Sequence, residues 1–284
     1  MYGWFFFIGY RTLRHPHDMI HLKKKGTNAM LGRCITLLGM ALVLSASGCG
    51  GDQTSDQNPT SPSANTAEGL WSGTTNTNRT LTAAVLDDGT YYFFYSDVLN
   101  PNKIAGVIQG SGTSNNGIFT SSNTKDFRIG TPVPALDATL SADSATRQFL
   151  NGSIAYSGAG PMTFTSSYNT AYDTAPTVAS LAGRYTGQAG SSGGVQAATV
   201  TASDHGTFTG IEPNSKCTFT GTVTARARGN VFDQSISFDG TNCFFAGSTF
   251  QGIVYFDIPT QRLYAASPNS SRTDAAIFFG TKIP

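Results

Sequence analysis

Along most of the chain, apolar and polar positions alternate in short runs, and Gly, Asn, Asp, Ser and Pro separate the runs. A period of two bounded by turn residues is the mark of a strand with one buried face. In residues 68–171 the pattern predicts strands near Gly69–Thr75, Thr80–Leu86, Thr90–Ser96, Lys103–Gly112, Gly117–Ser122, Ala138–Ala142, Leu150–Ser157 and Met162–Tyr168. In residues 182–284 it predicts strands near Gly183–Gln188, Val195–Thr201, Gly206–Ile211, Cys217–Arg226, Val231–Phe238, Thr249–Ile258, Leu263–Ala266 and Asp274–Thr281. The Glu/Lys/Leu/Ala-rich stretches that long helices need are missing from the sequence. Eight strands joined by short links describe an antiparallel meander, and closing a meander into a barrel removes its edges.

The two sets of strands are related. Gly69-Leu70-Trp71-Ser72-Gly73 matches Gly183-Arg184-Tyr185-Thr186-Gly187 at a spacing of 114, and Asp87-Asp88-Gly89-Thr90-Tyr91 matches Asp204-His205-Gly206-Thr207-Phe208 at a spacing of 117. Two anchors at nearly one offset indicate an internal duplication. The expected fold is therefore all-β, with two tandem eight-stranded, antiparallel, barrel-like domains at 68–171 and 182–284. Residues 172–181 join them, and Pro176 lies near the middle of the join. Asp88-Gly89 predicts a type I′ hairpin turn, and His205-Gly206 occupies the matching place. Gly106, Gly110, Gly152, Gly210, Gly221 and Gly252 inside strands mark bends and close approaches. The Gly69-Leu70-Trp71 opening resembles that of lipocalin-like barrels, which implies a Trp closing one barrel end.

The first 48 residues do not belong to this pattern. Leu31 to Ala46 is an apolar run preceded by Lys23-Lys24-Lys25 and followed by Ala46-Ser47-Gly48-Cys49. A basic region, a short apolar region and small residues before a cleavage point describe a secretory signal peptide. An ordinary signal peptide would leave Cys49 incidental. Against that, Ala46-Ser47-Gly48-Cys49 resembles the lipobox of bacterial lipoproteins, with Ala46 in the place usually held by Leu. The resemblance implies diacylglycerol on the Cys49 thiol, cleavage before it and acylation of the new amino group. Several acyl chains, at about 0.8 kcal/mol per buried CH₂, anchor stably where one would not. The aromatic run from Met1 to Tyr10 fits neither scheme; Met19 and Met30 are alternative starts, and the other account of 1–29 is a second membrane-inserting segment. Residues 49–67 hold almost no side chain able to join a core and read as a disordered tether. Gly50 after the cysteine, by resemblance to enterobacterial sorting, implies the outer membrane of a bacterial envelope.

Processing changes the arithmetic. Cleavage before Cys49 leaves 236 of the 284 residues, with 12 of the 18 Lys+Arg and 16 of the 17 Asp+Glu, so the formal charge moves from +1 to −4. Only 12% of the chain is charged, and neither figure describes a basic nucleic-acid-binding surface. Of the four histidines only His205 survives. It reads as a turn residue, the competing role being a general base or metal ligand. A Ser-His-Asp triad would need all its geometry around this one loop, so no catalytic residue, metal site or cofactor is expected. Asp87-Asp88 reads as turn chemistry rather than half of a calcium site.

Cys217 and Cys243 remain as an even pair in an exported chain, which predicts a disulfide; metal-binding thiolates would need further soft ligands. Arg226 and Arg228, at a strand end, read as solvated rim charges or as a pair able to hold an anion. Tyr91-Tyr92-Phe93-Phe94-Tyr95 is the most informative run. Alternation sends Tyr91, Phe93 and Tyr95 to one face and Tyr92 and Phe94 to the other, and a barrel interior hides only one set. The other set packs between the halves or faces a ligand or partner. Phe244-Phe245 and Phe278-Phe279 raise the same question.

Taken together, Ala46 to Cys49, the two Gly-x-aromatic-x-Gly openings and the two Asp-x-Gly-Thr-aromatic turns resemble uncharacterised proteobacterial lipoproteins with duplicated β-rich modules. A more distant likeness, to the β-barrel lobes of transferrin-binding surface lipoproteins, rests on no particular residue. The resemblance implies a membrane association through the lipid anchor and a non-enzymatic binding or structural module for an envelope protein or an apolar ligand. The alternative is an extracytoplasmic, hydrolase-like enzyme that uses Asp, Tyr and Arg residues in a barrel mouth.

Overall fold

The computed structural model describes residues 66–284; the leader, Cys49 and nearly all of the tether lie outside them. The first half holds β1 (Gly69–Thr75), β2 (Thr80–Val85), β3 (Thr90–Ser96), β4 (Ile104–Ser111), β5 (Thr113–Asn115), β6 (Ile118–Arg128), β7 (Leu136–Ala145), β8 (Phe149–Tyr156) and β9 (Met162–Asn169). These strands run in the order β4-β3-β2-β1-β9-β8-β7-β6, and a further pairing of β4 with β6 closes the ring. The short β5 sits on β6 as a side hairpin. The second half holds β10 (Gly183–Ser191), β11 (Gly194–Ala202), β12 (Thr207–Glu212), β13 (Cys217–Ala225), β14 (Phe232–Phe238), β15 (Thr249–Asp257), β16 (Arg262–Pro268) and β17 (Ala275–Ile283), which close as a barrel in chain order. All pairings are antiparallel, so the protein is all-β with two closed eight-stranded barrels in tandem.

Each barrel is plugged by the same device. Trp71 is fully buried and its indole N–H donates to the Ala67 carbonyl at 3.0 Å. Tyr185, also fully buried, donates its hydroxyl to the Leu181 carbonyl at 2.8 Å. In both barrels the donor lies four residues after the acceptor, so the duplicated Gly-x-aromatic motif encodes a polar latch beneath an apolar plug. Ala67, assigned to the tether by composition, is already buried here.

The hairpin turns are one residue longer than a type I′ turn. Only Gly89 and Gly206 have positive φ, at 80° and 83°, while Asp88 and His205 do not. Leu86 N–H meets the Thr90 carbonyl at 2.8 Å, and Gly89 N–H meets the Leu86 carbonyl at 3.0 Å. This is a three-residue loop ending in a left-handed glycine, which needs one positive φ rather than two. Strand glycines face aromatic rings. Gly106 and Gly110 pair with Tyr95 and Tyr91, and Gly210 and Gly221 pair with Phe219 and Phe208. A methyl group on Gly210 would sit 2.0 Å from the Phe219 ring.

Three buried clusters result. One fills the first barrel around Trp71, Tyr91, Phe93, Phe119, Leu150 and Phe164. A second lines the interior of the other barrel. The third lies between them, where Leu70, Ala84, Tyr92, Phe94 and Val107 meet Ile253, Tyr255, Tyr264, Ile277 and Phe279. Strands β2–β4 and β15–β17 therefore bury both faces. Tyr92 and Phe94 are 6% and 2% exposed, which removes them as a free docking surface. The connection between barrels is not a bare linker: short 3-10 turns occupy Thr170–Asp173 and Val178–Leu181, and Tyr172 and Leu181 are buried.

Candidate functional site

The alternation that builds the second barrel sends Val200, Phe208, Phe219, Val223, Ile236, Val254, Leu263 and Phe278 inward. In the first barrel, Trp71, Tyr91, Phe93, Phe119 and Phe164 converge on the axis. In the second, several lining positions carry only alanine, at Ala189, Ala202, Ala265 and Ala276, and a cavity of about 370 Å³ remains. That volume lies at the lower end of the range, roughly 300–1,000 Å³, typical of small-molecule pockets.

The cavity is a cup. Chain direction places Leu181 and Tyr185 at its closed end, where the latch shuts it. Glu212, the last residue of β12, and Cys217, the first of β13, mark the open end together with Thr241, Asn242, Cys243, Phe244 and Phe245. Cys217 and Cys243 are disulfide-bonded, with sulfurs 2.02 Å apart, as the cysteine count predicts. The bond ties the rim of β13 to the loop between β14 and β15. In that loop Phe245 packs on Phe250 with ring centroids 4.8 Å apart and on Phe238 at 5.5 Å. Phe244 stays 65% exposed, and its ring lies against Gly193 on the opposite lip, where a side-chain carbon would come within 2.5 Å of it. Glycine at 193 makes room for that ring.

The first barrel braces the rim. Gly130 N–H donates to the Ser191 carbonyl and Ala135 N–H to the Thr273 carbonyl, both at 2.8 Å. Arg272, in the loop between β16 and β17, donates to the Gln109 side chain at 2.9 Å and to the carbonyls of Gln109 and Asn123 at 2.9 and 2.8 Å. Asp274 in the same loop holds Ser192 through its backbone N–H at 3.0 Å and through its hydroxyl. Two of the loops around the open end are thus fixed by hydrogen bonds that cross the barrel interface.

The residues singled out in the sequence lie elsewhere. Tyr91, Phe93 and Tyr95 fill the first barrel, and Tyr92 and Phe94 fill the interface. Arg226 and Arg228 are neither solvated rim charges nor a free anion site, because they lie beyond the end of β13 and turn toward the first barrel. Arg226 makes ion pairs with Asp87 at 2.7 Å, Asp233 at 2.6 Å and Asp88 at 3.6 Å. Arg228 meets Glu68 at 2.7 Å, and the Tyr172 hydroxyl donates to the other Glu68 oxygen at 2.9 Å. Burial raises the Glu68 carboxyl above its ordinary range against the pull of Tyr172 and Arg228. At Asp87 burial pushes the same way, but the Arg226 hydrogen bond and charge prevail and hold it below the ordinary value. The His205 side chain is 88% exposed in its turn and lies 3.4 Å from Asp204.

The first barrel also holds polar groups. Asp126, 5% exposed, accepts from the Tyr95 hydroxyl at 2.7 Å and the Tyr156 hydroxyl at 3.1 Å. Burial raises its carboxyl despite both donors. Tyr91 pairs with Thr124 at 2.6 Å and Ser121 at 3.0 Å. These contacts satisfy the polar atoms of a packed interior. Among the described residues no group of three or more His, Cys, Asp or Glu gathers where it could hold a metal.

The cup was not visible as a motif. Both interiors mix alanines with large aromatics, and the cup is the space that their sum leaves in the second barrel.

No family model matches the chain, and no curated protein matches it. Among solved structures the chain is similar to the isotype 1 transferrin binding protein B from serogroup B Neisseria meningitidis, at 9% identity and a TM-score of 0.25, over 73% of this chain and 66% of that one. The chain spans just under two thirds of that protein's length. A likeness this loose bears on neither the cup nor its contents.

Proposed function

We propose that the protein is a non-enzymatic binding module of the bacterial envelope, anchored through lipid on Cys49, that takes an apolar small molecule into the cup of its second barrel. The observation that carries the reading is the contrast between the barrels. The first packs its aromatics into a filled core, whereas the second, with at least as many aromatics inside, keeps about 370 Å³ behind an open rim. An empty apolar volume has no packing benefit of its own, since a void costs stability by leaving its lining without partners. A bound apolar molecule supplies those partners.

The anchor and tether support the same picture. On this reading the tether ahead of Ala67 holds the barrels off the bilayer, within reach of molecules leaving or entering it. Domain boundaries at 68–171 and 182–284 assign the filled barrel a bracing role and the hollow one the binding role.

Native mass spectrometry of the protein extracted from envelopes tests the reading. The account expects acyl chains on Cys49 and an additional apolar adduct, the adduct lost in Ala265→Phe, which fills the cup. Absence of any adduct from the wild type, together with no binding of apolar probes, would overturn it.

A further inference from the structure

The charge distribution around the cup specifies its contents more narrowly. Among the described residues, no Lys, Arg or His lines the cavity. The one charged lining side chain is Glu212, at the rim, which accepts from the Ser215 hydroxyl at 2.9 Å. Two of its other polar groups are already engaged. Gln234 donates to Ser267 at 2.7 Å, and the Tyr185 hydroxyl donates to Leu181.

The neighbouring cations are turned elsewhere. Lys282 lies over the rings of Tyr185 and Phe256, 5.9 and 5.4 Å from their centroids, and reaches the Ser180 carbonyl at 3.4 Å. Arg272 donates to Gln109 and Asn123 of the first barrel. Lys216 is exposed in the turn that follows Glu212. An anion drawn into this cup would give up its water and find no cation, only the neutral donors of side chains such as Gln196, Thr241 and Asn242, while passing the Glu212 carboxylate. Burying an unpaired charge is among the most expensive things a site can do.

We infer that the cup selects uncharged apolar molecules and rejects anionic amphiphiles such as fatty carboxylates. This rests on the cup being the binding site, and it adds a rule about what enters. The rule follows from charge complementarity: an uncharged ligand loses only apolar contact with water, which the lining replaces.

Two dyes that share an anilinonaphthalene body separate the possibilities: N-phenyl-1-naphthylamine is neutral, and 8-anilinonaphthalene-1-sulfonate adds one negative charge. Both are titrated by fluorescence into the secreted full chain carrying Cys49→Ser. The neutral dye is expected to bind one per chain, at least about a hundredfold more tightly than the sulfonate. Glu212→Lys, a change at the half-buried rim, should strengthen sulfonate binding by about tenfold relative to the neutral dye. Sulfonate binding to the wild type within about threefold of the neutral dye would overturn the selection rule and leave the cup standing. Failure of both dyes to bind would overturn the cup itself and the rule with it.

Discussion

Phe94 of the first barrel meets Tyr264 of the second edge to face, with ring centroids 5.5 Å apart and planes inclined at 61°. Both side chains are on the outer surfaces of their own barrels, and both are buried by the other. Phe94→Ala removes a large, well-packed ring at that seam and should cost about 3–5 kcal/mol. Urea unfolding checks it, with a lower midpoint expected in the variant; an unchanged midpoint would mean the barrels do not stabilise one another.

At the edge of the same seam, Arg226 is clasped by Asp87 and Asp233. These carboxylates are partly exposed, so Arg226→Gln should cost about 1 kcal/mol at neutral pH, less in high salt. The pH dependence has a definite sign. Burial alone would raise the Asp87 carboxyl, but Arg226 holds it below its ordinary value of 3.8 in the folded protein. Its contribution is therefore present above that value and fades as pH falls through the lower folded one. The difference between wild type and Arg226→Gln should shrink in acid, as read by thermal unfolding across a pH series.

Asp126 runs the other way. Its folded carboxyl is raised by burial, with the Tyr95 and Tyr156 hydroxyls only partly offsetting the shift. Stability from the protonated form is complete below the ordinary value of 3.8 and is lost as pH rises through the raised value. Asp126→Asn removes that dependence. Its stability relative to wild type should climb with pH over this window and then level off.

The Cys217–Cys243 bond closes a loop of 26 positions. Replacing both cysteines by serine should cost roughly 3 kcal/mol in the chain-entropy account. It should also loosen the loop that carries Phe244 and Phe245 over the rim. Hydrogen exchange confined to residues 239–248 is the readout expected, since β13 and β14 keep their own ladder.

Much of this architecture was legible because a period of two survives wherever one strand face is buried. β6 shows where the signal fails. Its pattern predicts an end near Ser122, yet the strand runs from Ile118 to Arg128 past a register shift between Ser121 and Thr124. Thr124 and Asp126 are polar and pair with the hydroxyls of Tyr91 and Tyr95, and buried polar residues look like loop in a sequence. The Arg226 clasp was hidden for another reason, as Asp87 lies 139 residues earlier. The aromatic run of β3 did expose its two destinations. The cup did not, because hollowness is a sum over inward side chains from eight strands and no single residue records it.

A stoichiometric titration of N-phenyl-1-naphthylamine into the full chain, wild type beside Ala265→Phe, tests the central claim most directly. Ala265 is 7% exposed and lines the cup, so a phenyl group there occupies the space. The account predicts saturable binding of one dye to the wild type and a loss of at least about tenfold in the variant, with unfolding midpoints showing that both are folded. Equal binding by the two proteins would place the dye outside the second barrel and contradict it.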